Sequence, residues 1–155
     1  MPNNPIKDAC GRTIPVWPGK TVFHSTDKEG AEDIAKNGYK IIPSGGYYGY
    51  AVSFTDDLEY SRNFGRHTTI AVLSNDIKIL NVTLPEDGEM FGQLTKNGKV
   101  GIDRFHEVIL AAGYDGLYDP GAGDLFLYNP VKARFARTAY WGGQKESRAL
   151  LGGAA

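Results

Sequence analysis

Apolar and β-branched residues come in short runs along this chain, each closed by a glycine, a proline or a polar pair, a pattern of many brief elements. Thr21, Val22 and Phe23 predict a strand that delivers His24. Thr26 and Glu29 have capping-box spacing and open a helix with Ala31, Ile34 and Ala35 on one face, which Gly38 is placed to end. Tyr39 to Ile42 predicts a strand stopped by Pro43, and a loop carrying Gly45, Gly46 and Gly49 then feeds a strand over Ala51, Val52, Ser53 and Phe54. Asp56 can cap, and Glu59 can reach back over, a two-turn helix of roughly Asp57 to Phe64 that ends at Gly65.

Thr68 to Leu73 and Ile77 to Val82 predict two strands that pair with each other. Thr83 to Lys99, broken by Gly88, Gly92 and Gly98, reads as a polar surface excursion whose larger apolar groups are Met90, Phe91 and Leu94. Ile102, Phe105, Ile109 and Leu110 fall at the i, i+3, i+7, i+8 spacing of an amphipathic helix, closed by Gly113. Tyr114 to Tyr118 leads into a turn from Asp119 to Gly123, and Leu125 to Tyr128 predicts an apolar strand with Asp124 at its entrance. Beyond Arg134 the pattern fades.

With 155 residues, 41% apolar and 23% charged, the chain can bury the core of one domain. That domain is placed over residues 21–140, after an irregular lead-in (1–20, with Pro2, Pro5, Pro15 and Pro18) and before a flexible tail (141–155). A formal net charge of −1 with scattered lysines and arginines lacks the basic stripe of a general nucleic-acid binder. Cys10 is the lone cysteine and the three histidines are far apart, so neither an internal disulfide nor a metal site is expected. Without a signal-like leader or an apolar run near the ~20 residues of a membrane helix, the expectation is a soluble, cytoplasmic, monomeric protein with no membrane partner.

The richest stretch is Gly45 to Gly65, which carries Tyr47, Tyr48, Tyr50, Phe54, Tyr60 and Phe64. Tyr60 and Phe64, four apart, share a helix face. Together these rings could build a flat apolar wall for a planar ligand, or pack the core and its loops.

Three features stand in a fixed order: His24 ending an early strand, the strand and helix SFTDDLEYSRNF, and Asp124 opening a late apolar strand after a glycine-rich turn. That order resembles the ADP-ribosyltransferase superfamily, in the histidine, tyrosine, glutamate branch that includes diphtheria toxin and the poly-ADP-ribose polymerases. His24, Ser25 and Thr26 resemble its first motif, and Ser53 to Phe64 has the spacing of the two aromatic positions that frame nicotinamide. GYDGLYDPGAGDLFLYNP resembles phage and bacterial versions of the third motif, with Asp124 in place of the acid. Three positions depart from the pattern: Ser25 stands for the usual glycine, Ser53 for the first framing tyrosine, and Asp124 for the usual glutamate.

The resemblance implies an α+β fold, an ADP-ribosyltransferase-like split β-sandwich of two small, mostly antiparallel sheets flanked by short helices, with the cleft between the His24 and Ser53 strands. It implies Asp124 and His24 as catalytic positions, Asp124 facing the oxocarbenium-like ribose and His24 donating to the adenosine ribose. Ser25, Thr26, Ser53, Phe54 and Phe64 would contact NAD+, with the Ser25 backbone on the carboxamide, Phe64 stacked on the ring, and Tyr48 or Tyr50 supplying the missing aromatic. The implied activity is NAD+-dependent mono-ADP-ribosyl transfer, by a toxin or effector of bacterial or phage type, with NAD+ as substrate. The acceptor is macromolecular, a protein before a nucleic acid. Ala122 stands where arginine-specific members carry an acid or glutamine, which disfavours arginine as acceptor. The alternatives are an NAD+ glycohydrolase and a non-catalytic binding or inhibitor module on the same fold.

Overall fold

Two small sheets and four short helices form the described part of the chain, residues 19–42, 48–119 and 124–140 of the computed structural model. The first sheet holds β1 (Thr21–Thr26), β3 (His67–Leu73) and β7 (Ala133–Tyr140) in the order β1-β3-β7, antiparallel throughout. The second holds β2 (Val52–Phe54), β6 (Asp124–Leu127), β5 (Gly116–Asp119) and β4 (Ile79–Asn81) in the order β2-β6-β5-β4. Only its β4–β5 pair is parallel. The fold is thus α+β with mostly antiparallel sheets. Helices α1 (Lys28–Asn37), α2 (Leu58–Ser61), α3 (Pro85–Leu94) and α4 (Phe105–Ala111) punctuate the strands.

The second sheet is buried on both faces, which follows from the strict alternation of side chains along a strand. Ile79, Leu125 and Leu127 join Val22, Ala71 and Leu73 of the first sheet, with Ile34 and Tyr39, in one core. Leu80 and Leu117 face the other way, into a second core with Phe105, Ile109 and Tyr128. Phe54, 1% exposed, packs in the first core, where burial of such a ring contributes about 2 kcal/mol. Among the described residues one backbone bridge joins the sheets: Phe23 N–H donates to Thr55 O at 2.8 Å, and Thr55 N–H to Phe23 O at 3.0 Å.

Several local expectations shift. α1 is capped by Asp27, which accepts from Gly30 N–H, so Thr26 stays in β1; Gly38 closes the helix with φ 83°. Ala31 and Ile34 are buried while Ala35 is exposed, because the narrow core-facing stripe ends one residue short. Of the strand expected over Tyr39–Ile42, only the Ile42–Ala51 bridge forms. Asp57, not Asp56, caps α2, which lasts one turn before a 3-10 turn over Arg62–Phe64; Asp56 instead pairs with Lys20 at 3.6 Å.

The strand near Ile77–Val82 does not pair with β3. Both sides of β3 are taken by β1 and β7, and Ile79 and Leu80, each 0% exposed, need the two-faced burial of the second sheet. Thr83 to Lys99 is not merely an excursion: Pro85 at the first helical position and the acids Glu86 and Asp87 start α3. Asp87, wholly buried, accepts from Asn81 N–H at 2.9 Å. The fading pattern after Arg134 hides β7, an edge strand with an exposed Arg134 and Arg137. The lead-in 1–18, the loop 43–47, the turn 120–123 and the tail 141–155 lie outside the described residues.

Candidate functional site

The site grows from the bridge between the sheets. β1 carries Phe23, His24 and Ser25; β2 carries Ser53 and Phe54; Asp124 begins β6, next to β2; and the turn after α2 presents Phe64. One pocket of about 100 Å³ is lined by His24, Ser25, Ser53, Phe54, Ser61, Phe64 and Asp124, together with Phe23 and Thr55. Six positions singled out from the sequence therefore meet in one place. Their separation in the chain makes that convergence a property of the fold.

His24 is held from three sides. Its Nδ1 lies 2.8 Å from Ser53 O, and its ring packs against Phe54 at 5.9 Å and edge-on to Tyr39 at 6.1 Å. Tyr39 donates to Thr69 Oγ1 at 2.9 Å, and that hydroxyl donates to His24 O at 2.8 Å, fixing the strand beneath the ring. A carbonyl only accepts, so Nδ1 carries the hydrogen. Burial lowers the pKa of His24, partly offset by the Ser53 bond, so the ring is neutral near pH 7 and Nε2 is an acceptor. A neutral His24 can therefore accept a hydrogen bond from a hydroxyl through Nε2.

Ser25 Oγ lies 2.7 Å from both Ser61 Oγ and Thr68 Oγ1, and all three residues are buried. Ser61 and Thr68 escaped the sequence reading; their signal is a hydroxyl at positions where α2 and β3 face inward. Thr26 lines two neighbouring cavities of about 280 and 590 Å³ that also share His24. The smaller lies among α1, Tyr39, Ile42, Val52 and Phe126; the larger runs past Lys28, Phe64, Arg66 and His67.

Phe64 is 58% exposed and touches Tyr60 edge-on at 5.2 Å, so it stands at the mouth as an uncovered ring. Phe54 is core and also lines the pocket. Tyr48 and Tyr50 line none of the three cavities around His24. Tyr48 packs on Phe126 at 4.6 Å and donates to Asp119 Oδ2 at 2.8 Å, while Tyr50 stacks on His106 at 5.5 Å.

Asp124 is half-buried, and its pKa is pushed up to about 6, first by loss of water and then by the charge of Asp119. Its own charge raises the pKa of the Tyr60 hydroxyl, which places Tyr60 within its field. Among the described residues no group of three His, Cys, Asp or Glu side chains could hold a metal ion, and no helix is long and apolar enough to cross a membrane. Comparisons with protein-family models, with curated proteins and with solved structures find no match to this chain.

Proposed function

We propose that this chain is an NAD+-dependent mono-ADP-ribosyltransferase, built on an ADP-ribosyltransferase-like split β-sandwich, that moves ADP-ribose to a macromolecular acceptor. The observation that carries the reading is the single pocket where an acid, an exposed ring, a buried hydroxyl group and a neutral histidine converge.

In NAD+ the nicotinamide leaves with the electron pair of its bond to ribose and departs neutral, so the positive charge passes to the ribose. A carboxylate facing that centre stabilises the transition state more than the ground state. Asp124 supplies it from the rim of the pocket. The acceptor adds to the anomeric carbon, its proton goes to solvent, and the charge is discharged. Phe64 offers a face for the nicotinamide ring. If Thr68 donates to Ser25 and Ser25 to Ser61, one hydroxyl hydrogen remains on Ser61 for the carboxamide oxygen. The cavity of about 280 Å³ beside His24 has room and apolar walls for the adenosine end, with Nε2 accepting from its ribose.

The test is nicotinamide release from NAD+ set beside titration calorimetry, on the wild type and Asp124→Asn. Release that needs the Asp124 carboxylate and labels an added protein fraction supports transfer. Release without any acceptor points to a glycohydrolase, and binding with no release over hours to a binding module.

A further inference from the structure

Resting on that reading of the site, we propose that Asp119 is a positioning residue for its chemistry: the carboxylate across the strand that works with burial to keep Asp124 sensitive to protons, so that the site switches off in mild acid. Asp119 ends β5 and Asp124 begins β6, and the antiparallel register sets them directly opposite. Opposed side chains on one sheet face are about 5 Å apart, and like charges there cost stability. A fold has no use for such a pair, whereas a site that needs a proton-sensitive carboxylate does.

Asp119 is held where it is. The Tyr48 hydroxyl donates to its Oδ2 at 2.8 Å, the Tyr48 carbonyl accepts from the Tyr128 hydroxyl at 2.6 Å, and the Tyr48 ring is wedged on Phe126 and Phe91. A donated hydrogen bond favours the charged form of its acceptor. Among the described residues no donor reaches Asp124 comparably, so nothing offsets the effects of burial and of Asp119 on its carboxyl. The other ionisable groups on the surrounding elements are otherwise engaged or neutral. β1 brings His24, bonded to Ser53 O; beyond β2 comes Asp56, paired with Lys20; α2 brings Tyr60, with Glu59 bonded to Arg62; β5 adds the phenol of Tyr118. Of these neighbours it is the charge of Asp119 that, after burial, holds the Asp124 carboxyl up near 6. With its pKa near 6, the Asp124 carboxyl is ionised at neutral pH.

The experiment reads the Asp124 carboxyl directly, by carbon-detected NMR titration of the full chain, alongside the pH profile of nicotinamide release. Asp119→Asn keeps an acceptor for Tyr48 and removes the charge, and is expected to lower the Asp124 midpoint by about half a pH unit or more. The acid limb of release should move down with it. Asp119→Glu keeps the charge and should leave the midpoint near the wild-type value. Should Asp119→Asn fail to fold, Asp119→Ser deletes the same charge. An Asp124 midpoint that is the same in wild type and the charge-deleted variant overturns the proposal. A midpoint that moves in a protein that releases no nicotinamide upholds the coupling and overturns the enzymatic reading, so the two failures are separate.

Discussion

Asp124 pays twice for its place, by leaving water and by facing Asp119, and both raise the free energy of its charged form. Its folded-state pKa, about 6, lies above the ordinary 3.8, so the native state holds the proton more tightly than the unfolded chain. The stability this provides is complete below about pH 4 and is lost as pH rises through about 6. Asp124→Asn should therefore be the more stable protein at pH 7.5, by about 1 kcal/mol once its half-exposure is allowed for, with the gap closing toward pH 4. Urea melts at the two pH values measure this. The same variant should release nicotinamide roughly a hundredfold more slowly, about 3 kcal/mol, while binding intact NAD+ almost as well. A variant that melts earlier at pH 7.5 yet keeps full turnover would remove Asp124 from the chemistry. Phe64 gives the complementary case: with 58% of its surface exposed, Phe64→Ala should change stability by less than about 0.5 kcal/mol. NAD+ affinity should fall about fivefold, the worth of one lost stacked ring at about 1 kcal/mol. Calorimetry beside a thermal melt decides, and a large melting shift with unchanged affinity returns Phe64 to the scaffold.

At the scale of elements, the contact that places Phe64 is the close approach of Gly65 to the end of β1. A methyl added at Gly65 would sit 2.5 Å from Thr26 O and 2.7 Å from Thr26 N, both backbone atoms that cannot swing aside. Gly65→Ala should cost about 2 kcal/mol and displace the 3-10 turn that carries Phe64, so affinity falls along with the melting temperature. Unchanged values for both would mean that β1 and this turn have slack. Elements of this kind were legible where one residue type settles them: β1, β3 and β6 are apolar runs between breakers, and Gly38 closes α1 with a positive φ. The strand and helix around Ser53 were legible in order, though Asp57 rather than Asp56 caps the helix, since adjacent acids look alike until the backbone selects one. α3 was hidden because Gly88 and Gly92 weaken its pattern; Gly88 faces Val82 O, where an added Cβ would lie at 3.0 Å. β7 was hidden because an edge strand alternates polar with half-buried residues. Of the site, His24, Ser53, Phe64 and Asp124 were readable as positions, whereas Ser61, Thr68 and Asp119 carry no local mark. Their meaning comes from register and packing, which no short window of sequence contains.

At the scale of the whole molecule, the pocket lies where, among the described residues, the two sheets exchange backbone hydrogen bonds, Phe23 with Thr55. Each sheet has its own ladders, and the first core joins them through side chains, so relative movement of the sheets is opposed locally by this two-bond bridge. A ligand filling the pocket touches β1 and β2 on either side of the bridge and would hold them together. Ligand bound only to the folded state adds stability by mass action, about 2.7 kcal/mol at a hundredfold excess over Kd. That gain should not be spread evenly. In amide hydrogen exchange, NAD+ should slow Phe23 and Thr55 most, together with Ser25 and Phe64 around them. The β4–β5 ladder, far along the second sheet, should change only as the global stability does. Nicotinamide alone, which has no adenosine end, should protect the residues around the pocket of about 100 Å³ and leave α1 unchanged, whereas NAD+ should also slow Ala31 and Ile34 beside the cavity of about 280 Å³. Uniform protection, or protection centred on α3 and α4, would place the ligand elsewhere and separate it from the junction of the sheets.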